Sequence, residues 1–209
     1  MILTAEALAF DMDGTLVDSG PVIAASWTGW AARRGLDPAE VIRFCHGRPL
    51  HRIIAHFAPD ADLPAEGRWV LDRLPALEHL LRPVAGAPEL LAGLDPAGEW
   101  ALVTSAPADL ARRWMGICDL PLPRVLVTAD DVTHPKPDPE PFARAAHLLG
   151  QPPGRMLAFE DSTAGLASAT AAGMATVGLG GATGTAASIA DYTGVRRQPG
   201  PAIRLSLPG

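Results

Sequence analysis

Two aspartates that follow an apolar run, Asp11 and Asp13, are the residues of this 209-residue chain best suited to chemistry. The run from Ala5 to Phe10 is apolar except for Glu6, a pattern typical of a buried strand. Residues two apart in a strand share a face, so the two carboxylates would repel each other unless a cation, or a proton on one of them, relieves the repulsion. The spacing therefore suggests a metal site and an acid/base pair.

Lys136, the only lysine in a chain with 17 basic residues, is a second candidate for chemistry. It lies in the run His134-Pro135-Lys136-Pro137-Asp138-Pro139-Glu140-Pro141. Residues that precede proline favour extended conformations, so this loop is predicted to be stiff and to aim the lysine, with Asp138 capping a helix that begins at Pro139. A compact ammonium on a fixed loop suits a phosphate or a carboxylate, and the use of lysine here by an arginine-rich chain indicates that a guanidinium would not fit.

Two further polar pairs follow apolar runs. Thr104-Ser105 closes the run that begins at Trp100, and Glu160-Asp161 closes the run that begins at Met156. Taken singly, each signal has a structural explanation, such as an acidic turn, a strand end, a helix cap or an exposed loop lysine. Taken together, they fall at the carboxyl ends of predicted strands, where open α/β sheets bind their ligands.

The elements that must position these residues are of two kinds. After residue 82 the pattern alternates between strand and helix, which predicts a parallel α/β sheet. Its predicted strands are 100–105, 124–129, 156–160 and 175–179, and its predicted helices are 109–115, 139–149 and 163–172. Between residues 21 and 82 only helical patterns occur, which we divide into four helices, the last running from Pro64 to Leu81.

We therefore expect an α/β fold with a doubly wound, mainly parallel Rossmann-like sheet and an inserted four-helix cap. The core would comprise residues 1–17 and 83–209, and the cap residues 18–82. No function is predicted for the Gly-, Ala- and Pro-rich tail, residues 180–209.

Composition limits the partners. The net charge of −6 and the pI near 5.4 argue against a nucleic-acid surface, which needs a clustered basic excess. No segment approaches the ~20 apolar residues of a membrane span, and Cys45 and Cys118 lack metal-type spacing. We expect a cytoplasmic monomer or weak dimer with two buried thiols and no membrane contact.

The motifs resemble those of one known family. Asp11-Met12-Asp13-Gly14-Thr15, Thr104-Ser105, Lys136 with Pro137-Asp138-Pro139, and Glu160-Asp161 are similar to the four motifs of the haloacid dehalogenase superfamily, in the subfamily with a helical cap between motifs one and two. Within it, Phe44-Cys45-His46-Gly47-Arg48 and His56-Phe57-Ala58-Pro59-Asp60 resemble the small sugar- and polyol-phosphate phosphatases.

The resemblance implies a Mg²⁺-dependent phosphomonoesterase that acts on a small phosphorylated sugar or polyol. Asp11 would be the nucleophile and Asp13 the general acid and base. Lys136 would be the third catalytic residue. The implied metal ligands are Asp11, the Asp13 backbone carbonyl, Asp161 and, as an outer or additional ligand, Glu160. The implied phosphate-binding residues are Asp11, Gly14, Thr104, Ser105 and Lys136, and the implied substrate contacts of the cap are His46, Gly47 and Arg48. The alternative for the cap is that Arg48 forms a surface pair and His46 is a solvated loop residue.

The same fold supports other activities, and the sequence bears on each of them. A haloalkanoate dehalogenase needs no metal and no second acid, so Asp13 argues against it. A phosphonatase needs a cap lysine, and residues 18–82 contain none. A phosphomutase of the β-phosphoglucomutase type would share all four motifs and differs in whether water reaches the aspartyl-phosphate. A non-catalytic scaffold that binds a phosphorylated ligand is disfavoured by the complete set of reactive residues.

Overall fold

The chain forms two compact units. The computed structural model describes residues 1–45, 48–182, 184–200 and 202–208. The first unit, here the α/β unit, consists of Met1–Asp18 and Arg82–Gly209, and the second, here the helical unit, of Ser19–Leu81.

Strands and helices are numbered in chain order. The strands are β1 (Ile2–Ala5), β2 (Ala7–Phe10), β3 (Val17–Asp18), β4 (Arg82–Pro83), β5 (Trp100–Val103), β6 (Val125–Val127), β7 (Met156–Glu160), β8 (Ala175–Leu179), β9 (Ala187–Ile189), β10 (Arg196–Gln198) and β11 (Ile203–Ser206). The helices are α1 (Gly20–Arg34), α2 (Pro38–Cys45), α3 (Leu50–Phe57), α4 (Leu63–Leu71), α5 (Leu74–Leu77), α6 (Ala87–Ala92), α7 (Ala108–Ile117), α8 (Glu140–Leu149) and α9 (Thr163–Ala171).

The main sheet of the α/β unit has six strands in the order β6-β5-β2-β7-β8-β9, and every neighbouring pair is parallel. After β2 the chain adds β5 and then β6 on one side of β2. It then returns to the other side of β2, where it adds β7, β8 and β9. The strand order therefore reverses between β2 and β7, and such a reversal opens a crevice at the carboxyl ends of the two strands. This sheet confirms the predicted α/β fold class.

The two faces of the sheet carry different side chains because successive strand residues point to opposite sides. Ala9 lies in register with Ala101 and Ala158, and these small residues pack in one core cluster with Phe142 of α8. On the other face Phe10 stacks on Phe159 at 4.7 Å between ring centroids. The residues that immediately precede Asp11 and Glu160 thus anchor the ends of β2 and β7.

The predicted first strand is shorter than expected at its start. Ile2–Ala5 pairs with β11 in a separate antiparallel sheet of order β1-β11-β10. Glu6 lies between β1 and β2 and donates its backbone N–H to the Arg155 carbonyl at 2.8 Å. The tail, for which no strands were predicted, supplies β9 to the main sheet and β10 and β11 to this smaller one.

The helical unit has its own apolar core, built from α1, α2, α3 and α4. Trp30 and Ile54 are fully buried in it, and Trp27 packs edge-on against Trp30 at 5.4 Å. Helix α1 ends at Arg34, and the next residue, Gly35, has a φ of 67°, in the left-handed region that favours glycine. Asp37 follows and accepts a hydrogen bond from the Ala39 backbone at 2.9 Å, which supports the start of α2.

The fourth predicted helix, from Pro64 to Leu81, is divided. Helix α4 ends at Leu71, α5 begins at Leu74, and a 3₁₀ turn covers Glu78–Leu80. Proline has no N–H to donate within a helix but is accepted in the first turn. Pro75 therefore prevents α4 from continuing and lies in the first turn of α5. The predicted fourth helix thus becomes two α-helices, of which α5 is short.

No helix in the described ranges combines the length with the apolar character that crossing a bilayer requires.

Candidate active site

Asp11 lies one residue beyond β2, where its backbone N–H donates to the Phe159 carbonyl at 3.0 Å. This bond ties the start of the loop to β7 and leaves the carboxylate buried at the reversal point, with 6% of the residue exposed. The chain then turns tightly, because the N–H groups of Leu16 and Val17 both donate to the Met12 carbonyl at 2.9 Å. The turn keeps Asp13, half-buried, beside the same crevice.

Gly14 is required at this turn for two reasons. Its φ of 75° lies in the left-handed region. In addition, a Cβ atom at this position would lie 2.1 Å from the Asp161 Oδ2 atom. The predicted site residues Gly14 and Asp161 are therefore in direct proximity, from loops that follow β2 and β7.

Lys136 is the centre of the site. Its Nζ atom donates to Asp11 Oδ1 at 2.6 Å, to Glu160 Oε1 at 2.7 Å and to the Val103 carbonyl at 2.9 Å. Burial alone would lower the pKa of the ammonium, but the charges of Asp11 and Glu160 outweigh burial and hold that pKa above its ordinary value. Lys136 is therefore a permanently charged group whose three protons already have three acceptors.

Glu160 links Lys136 to the helix that follows. Its Oε2 atom accepts from the Ser162 backbone at 2.8 Å and from the Ser162 hydroxyl at 2.9 Å, and that hydroxyl in turn accepts from Gly165 N at 3.0 Å as the cap of α9. A Cβ atom on Gly165 would lie 1.7 Å from Glu160 Oε1. The first turn of α9 thus approaches the carboxylate so closely that only glycine fits.

The negative charges of the site exceed its positive charge. Burial raises the pKa of Asp11 well above its usual range despite the opposing charge of Lys136. Loss of solvation of the carboxylate, together with the charges of Glu160 and Asp13, raises the pKa of Asp161 to about 7. This holds although part of the residue reaches solvent. Four carboxylates with one cation form a site that a further positive charge would stabilise.

A hard divalent cation fits this arrangement. Asp11, Glu160 and Asp161 each offer a carboxylate oxygen, and these atoms lie within 4.8 Å of one another. Mg²⁺ binds through carboxylates, water and phosphate oxygens. The donor chemistry and the raised carboxyl pKa values both match such an ion.

The predicted phosphate-binding pair Thr104-Ser105 follows β5, next to β2 in the sheet. Thr104 donates its backbone N–H to the Val127 carbonyl at 2.9 Å, and its buried hydroxyl accepts from Ala106 N at 3.0 Å. Ser105 is exposed. The preceding residue, Val103, supplies the carbonyl that holds Lys136, so β5 contributes to the site through its backbone as well.

The predicted cap contacts belong to the helical unit. Arg48 is exposed; its guanidinium lies 4.2 Å from the Phe44 ring centroid and donates to the Phe44 carbonyl at 2.7 Å. The other two predicted contacts, His46 and Gly47, lie outside the described residues. Phe44 also stacks on His56 at 4.0 Å between ring centroids. These side chains border an open depression of about 390 Å³ with Glu40, Arg43 and Phe57.

Tyr192, from the tail, is a residue that sequence analysis missed. Its buried ring lies 5.8 Å from that of Phe159 and 6.1 Å from that of Phe10. Burial and the charges of Asp11 and Asp161 raise its pKa well above the ordinary value for tyrosine. The tail therefore forms part of the support of the site, and no local pattern around Tyr192 signals this.

The fold and the site together define the class of protein. Residues 5–173 match the family model described as a haloacid dehalogenase-like hydrolase. The chain belongs to this family, which confirms the resemblance carried by the four motifs and the expectation of a hydrolase.

The chain is also similar to individual members of this family. The chain is 40% identical over 175 residues to hexitol phosphatase A of Escherichia coli, an alignment that covers 78% of each chain. It is 35% identical over 189 residues to glycerol-1-phosphate phosphohydrolase 1 of Saccharomyces cerevisiae, covering 85% of this chain and 75% of the yeast protein. A crystal structure of a family member from Deinococcus radiodurans with bound phosphate and sodium has a TM-score of 0.70 and 26% identity over 90% of this chain and 92% of that one.

Proposed function

We propose that the chain is a Mg²⁺-dependent phosphomonoesterase that transfers the phosphoryl group of a small sugar or polyol phosphate to Asp11 and then to water. The observation that carries this proposal is the meeting of Asp11, Lys136 and Glu160 through hydrogen bonds of 2.6–2.7 Å at the reversal point of the sheet. Family membership and the phosphatase relatives support the same reaction.

In the first half-reaction the Asp11 carboxylate attacks phosphorus, and the bond between phosphorus and the ester oxygen breaks. An aspartyl-phosphate forms on Asp11, and the leaving alkoxide takes a proton from Asp13. Lys136 restrains the Asp11 carboxylate through Oδ1, so the nucleophile is fixed before the substrate arrives.

In the second half-reaction water attacks the phosphorus of the aspartyl-phosphate. Asp13, now a carboxylate, removes the proton of that water, and the products are inorganic phosphate and the regenerated Asp11 carboxylate. One group serves as acid and then as base because the second step reverses the proton transfer of the first.

The phosphoryl oxygens need donors on several sides. The hydroxyl of Thr104 and the groups of Ser105 would supply them, and Lys136, whose three protons already have acceptors in the protein, would attract the phosphoryl oxygens through its charge. Gly14 lets the backbone approach closely because it has no Cβ. The Thr104 hydroxyl accepts from Ala106 N, which leaves its own proton available to donate to a phosphoryl oxygen.

Magnesium would be held by Asp11, the Asp13 backbone carbonyl and Asp161. Bound there, it would offset the charge of the carboxylates and of the phosphoryl group. Both oxygens of Glu160 already accept hydrogen bonds from Lys136 and Ser162, so we assign Glu160 to the outer shell, where it holds the lysine and the start of α9.

The substrate would be recognised by a cap of residues 18–82, which includes the helical unit, whereas the catalytic core would comprise residues 1–17 and 83–209. Arg48 carries a guanidinium stacked on an aromatic ring, and the adjoining depression combines charged and aromatic side chains. Such a surface suits the hydroxyl groups and ring faces of sugars and polyols. The relatives named for hexitol and glycerol phosphates have substrates of this chemical type.

Phosphate release from 4-nitrophenyl phosphate, with Mg²⁺ and after full chelation by EDTA, tests the reaction. We expect activity with Mg²⁺ and its loss on chelation, and activity that survives chelation would refute the metal assignment. A panel of phosphorylated hexoses, hexitols, glycerol and glycolate then identifies the substrate. β-Glucose 1-phosphate separates a phosphatase from a mutase, because only a mutase accumulates glucose 6-phosphate.

A further inference from the structure

We propose that Glu140 is a positioning residue for Lys136, which it holds in place by closing the loop of residues 133–140. The expected effect on turnover rests on the proposed function. The expected effect on the position of Lys136 depends only on the hydrogen bonds that hold the loop.

Lys136 reaches its partners from a loop that lies outside the sheet. Its ammonium is buried and meets groups that follow three different strands, namely Asp11 after β2, Glu160 at the end of β7 and the Val103 carbonyl of β5. The stem of a lysine is flexible, so the position of the ammonium depends on the position of the backbone that carries it. Displacing a catalytic group by about 1 Å can reduce turnover by up to about 100-fold.

The Glu140 carboxylate ties the two ends of this loop together. Its Oε1 atom accepts from Thr133 N at 2.8 Å, and its Oε2 atom accepts from His134 N at 2.8 Å and from His134 Nδ1 at 2.9 Å. Hydrogen bonds to an ionised acceptor are stronger than those between neutral groups. A side chain at the first residue of α8 thus fixes the residues where the loop begins.

Two further bonds hold the rest of the loop. Asp138 Oδ1 accepts from Glu140 N at 2.9 Å, and the Asp138 backbone N–H donates to the Pro135 carbonyl at 3.1 Å. The hydroxyl of Ser168, fully buried in α9, donates to the Asp138 carbonyl at 2.5 Å. The loop that carries Lys136 is therefore held at two places. Glu140 binds its first residues, and Ser168 binds Asp138 to α9, the helix that follows Glu160 and Asp161.

The alternative explanation of Glu140 is that it only stabilises the N-terminus of α8, where an acidic residue is favourable in any protein. Asp109 provides the matched control, because it is an exposed acid in the first turn of α7 of the same unit. If the first-turn charge alone mattered, Glu140→Ala and Asp109→Ala would have the same consequences.

The kinetic test compares Glu140→Ala, Glu140→Gln and Asp109→Ala with the parent enzyme. For Glu140→Ala we expect kcat to fall about 10-fold or more, KM to stay within about 3-fold, and inhibition by orthovanadate, a mimic of the transferring phosphoryl group, to weaken in parallel with kcat. Glu140→Gln, which keeps one acceptor oxygen, should recover part of the loss. Asp109→Ala should leave all three quantities within about 2-fold.

The second test uses the fact that Lys136 is the only lysine of the chain. Reductive methylation with formaldehyde and borohydride modifies Lys136 and the N-terminal amine, and peptide mass spectrometry gives the rate at each. We expect the rate at Lys136, relative to the N-terminal amine, to rise several-fold in Glu140→Ala and by less in Ser168→Ala, and to be unchanged in Asp109→Ala.

Unchanged methylation in Glu140→Ala would overturn the proposal, whatever happens to turnover, because the loop would then not depend on Glu140. Faster methylation with unchanged kcat would overturn the catalytic consequence. The methylation test requires no activity, so a parent enzyme that hydrolyses no ester would refute the proposed function while leaving the closure of the loop open to this separate test.

Discussion

In the part of the chain that the structure describes, two clusters of charged groups around a buried side chain, Glu66 in one and Lys136 in the other, are built in opposite ways. In the helical unit, Glu66 is the only acid of its cluster and accepts from Trp30 Nε1 at 2.7 Å and from Arg33 Nη1 at 2.8 Å, with Arg34 Nη1 at 3.7 Å from its other oxygen. In the α/β unit, Lys136 is the only cation among several carboxylates.

The difference concerns the balance of charge. Around Glu66, the charge of the acid is matched by N–H donors and arginines, the Arg33 side chain is 43% exposed to solvent, and the arrangement needs no further ion. Around Lys136 the negative charges dominate, and the pKa of Asp161 is raised to about 7. A balanced buried cluster is typical of structural support, whereas an unbalanced one with raised carboxyl pKa values is typical of a site that binds a cation or transfers protons.

The largest expected effect is that of Asp11→Asn. Because the variant keeps the shape of the side chain but removes the nucleophile, we expect turnover to fall by at least about 1,000-fold. The fold should remain intact, with a thermal midpoint in EDTA equal to or above that of the parent, because one of the mutually repelling carboxylates is gone. Turnover near the parental value would show that Asp11 is not the nucleophile.

Lys136→Arg tests whether the cation of the site must be an ammonium. The planar guanidinium cannot reproduce the three donor directions that Lys136 uses, so we expect kcat to fall on the order of 100-fold. Arg155→Lys, an exchange at a side chain that is 67% exposed, is the control and should be silent. An unimpaired Lys136→Arg enzyme would contradict the assignment.

Glu66→Ala should affect stability and not chemistry. The substitution leaves the fully buried Trp30 indole N–H without an acceptor, so we expect the free energy of unfolding to fall by about 3 kcal/mol. Glu66→Gln, which retains an acceptor oxygen, should cost less. Chemical denaturation measures both, and a loss for Glu66→Ala smaller than for Glu66→Gln would contradict the balanced-cluster interpretation.

The smallest effect concerns a half-buried ion pair, in which Arg197 of β10 donates two hydrogen bonds of 2.5 and 2.6 Å to the Glu99 carboxylate. The hydrogen bond from Arg197 lowers the pKa of Glu99, so the pair stabilises the fold above the unfolded pKa, about 4.3, and loses this contribution as the pH falls through the lowered value. The difference in unfolding free energy between the parent and Glu99→Gln should be below about 1 kcal/mol at pH 7 and should shrink in acid. A difference that grows in acid would reverse the assigned sign.

The sequence was sufficient for the parts of the site that depend on residue type at a strand end. The sequence predicts that Asp11, Thr104, Lys136 and Asp161 converge, because parallel strands bring their carboxyl ends to one edge. The structure joins Lys136 by hydrogen bonds to Asp11 and to Glu160, the residue before Asp161. Helix-capping preferences leave Asp161 and Ser162 as the two candidates for the cap of α9, and the structure places Ser162 there.

Features that depend on distant contacts could not be predicted. The acid at Glu140 indicates only a helix start, and its bonds to Thr133 and His134 depend on how the loop curves back. Gly165 resembles any helical glycine until Glu160 is placed beside it. The tail strand β10 is polar and lacks the alternation of apolar and polar residues that predicts a strand, so its pairing with β11 could not be predicted.

The central claim, that Asp11 takes up the phosphoryl group, is tested most directly by rapid-quench analysis of Asp13→Asn with 4-nitrophenyl phosphate. The nitrophenolate leaves without a proton, so the first half-reaction proceeds, while hydrolysis slows because its general base is missing. We predict a burst of about one nitrophenolate per enzyme molecule and a phosphoryl group mapped to Asp11 by mass spectrometry of the acid-quenched protein. Linear release from the first turnover, or a phosphoryl group on another residue, would contradict the proposed mechanism.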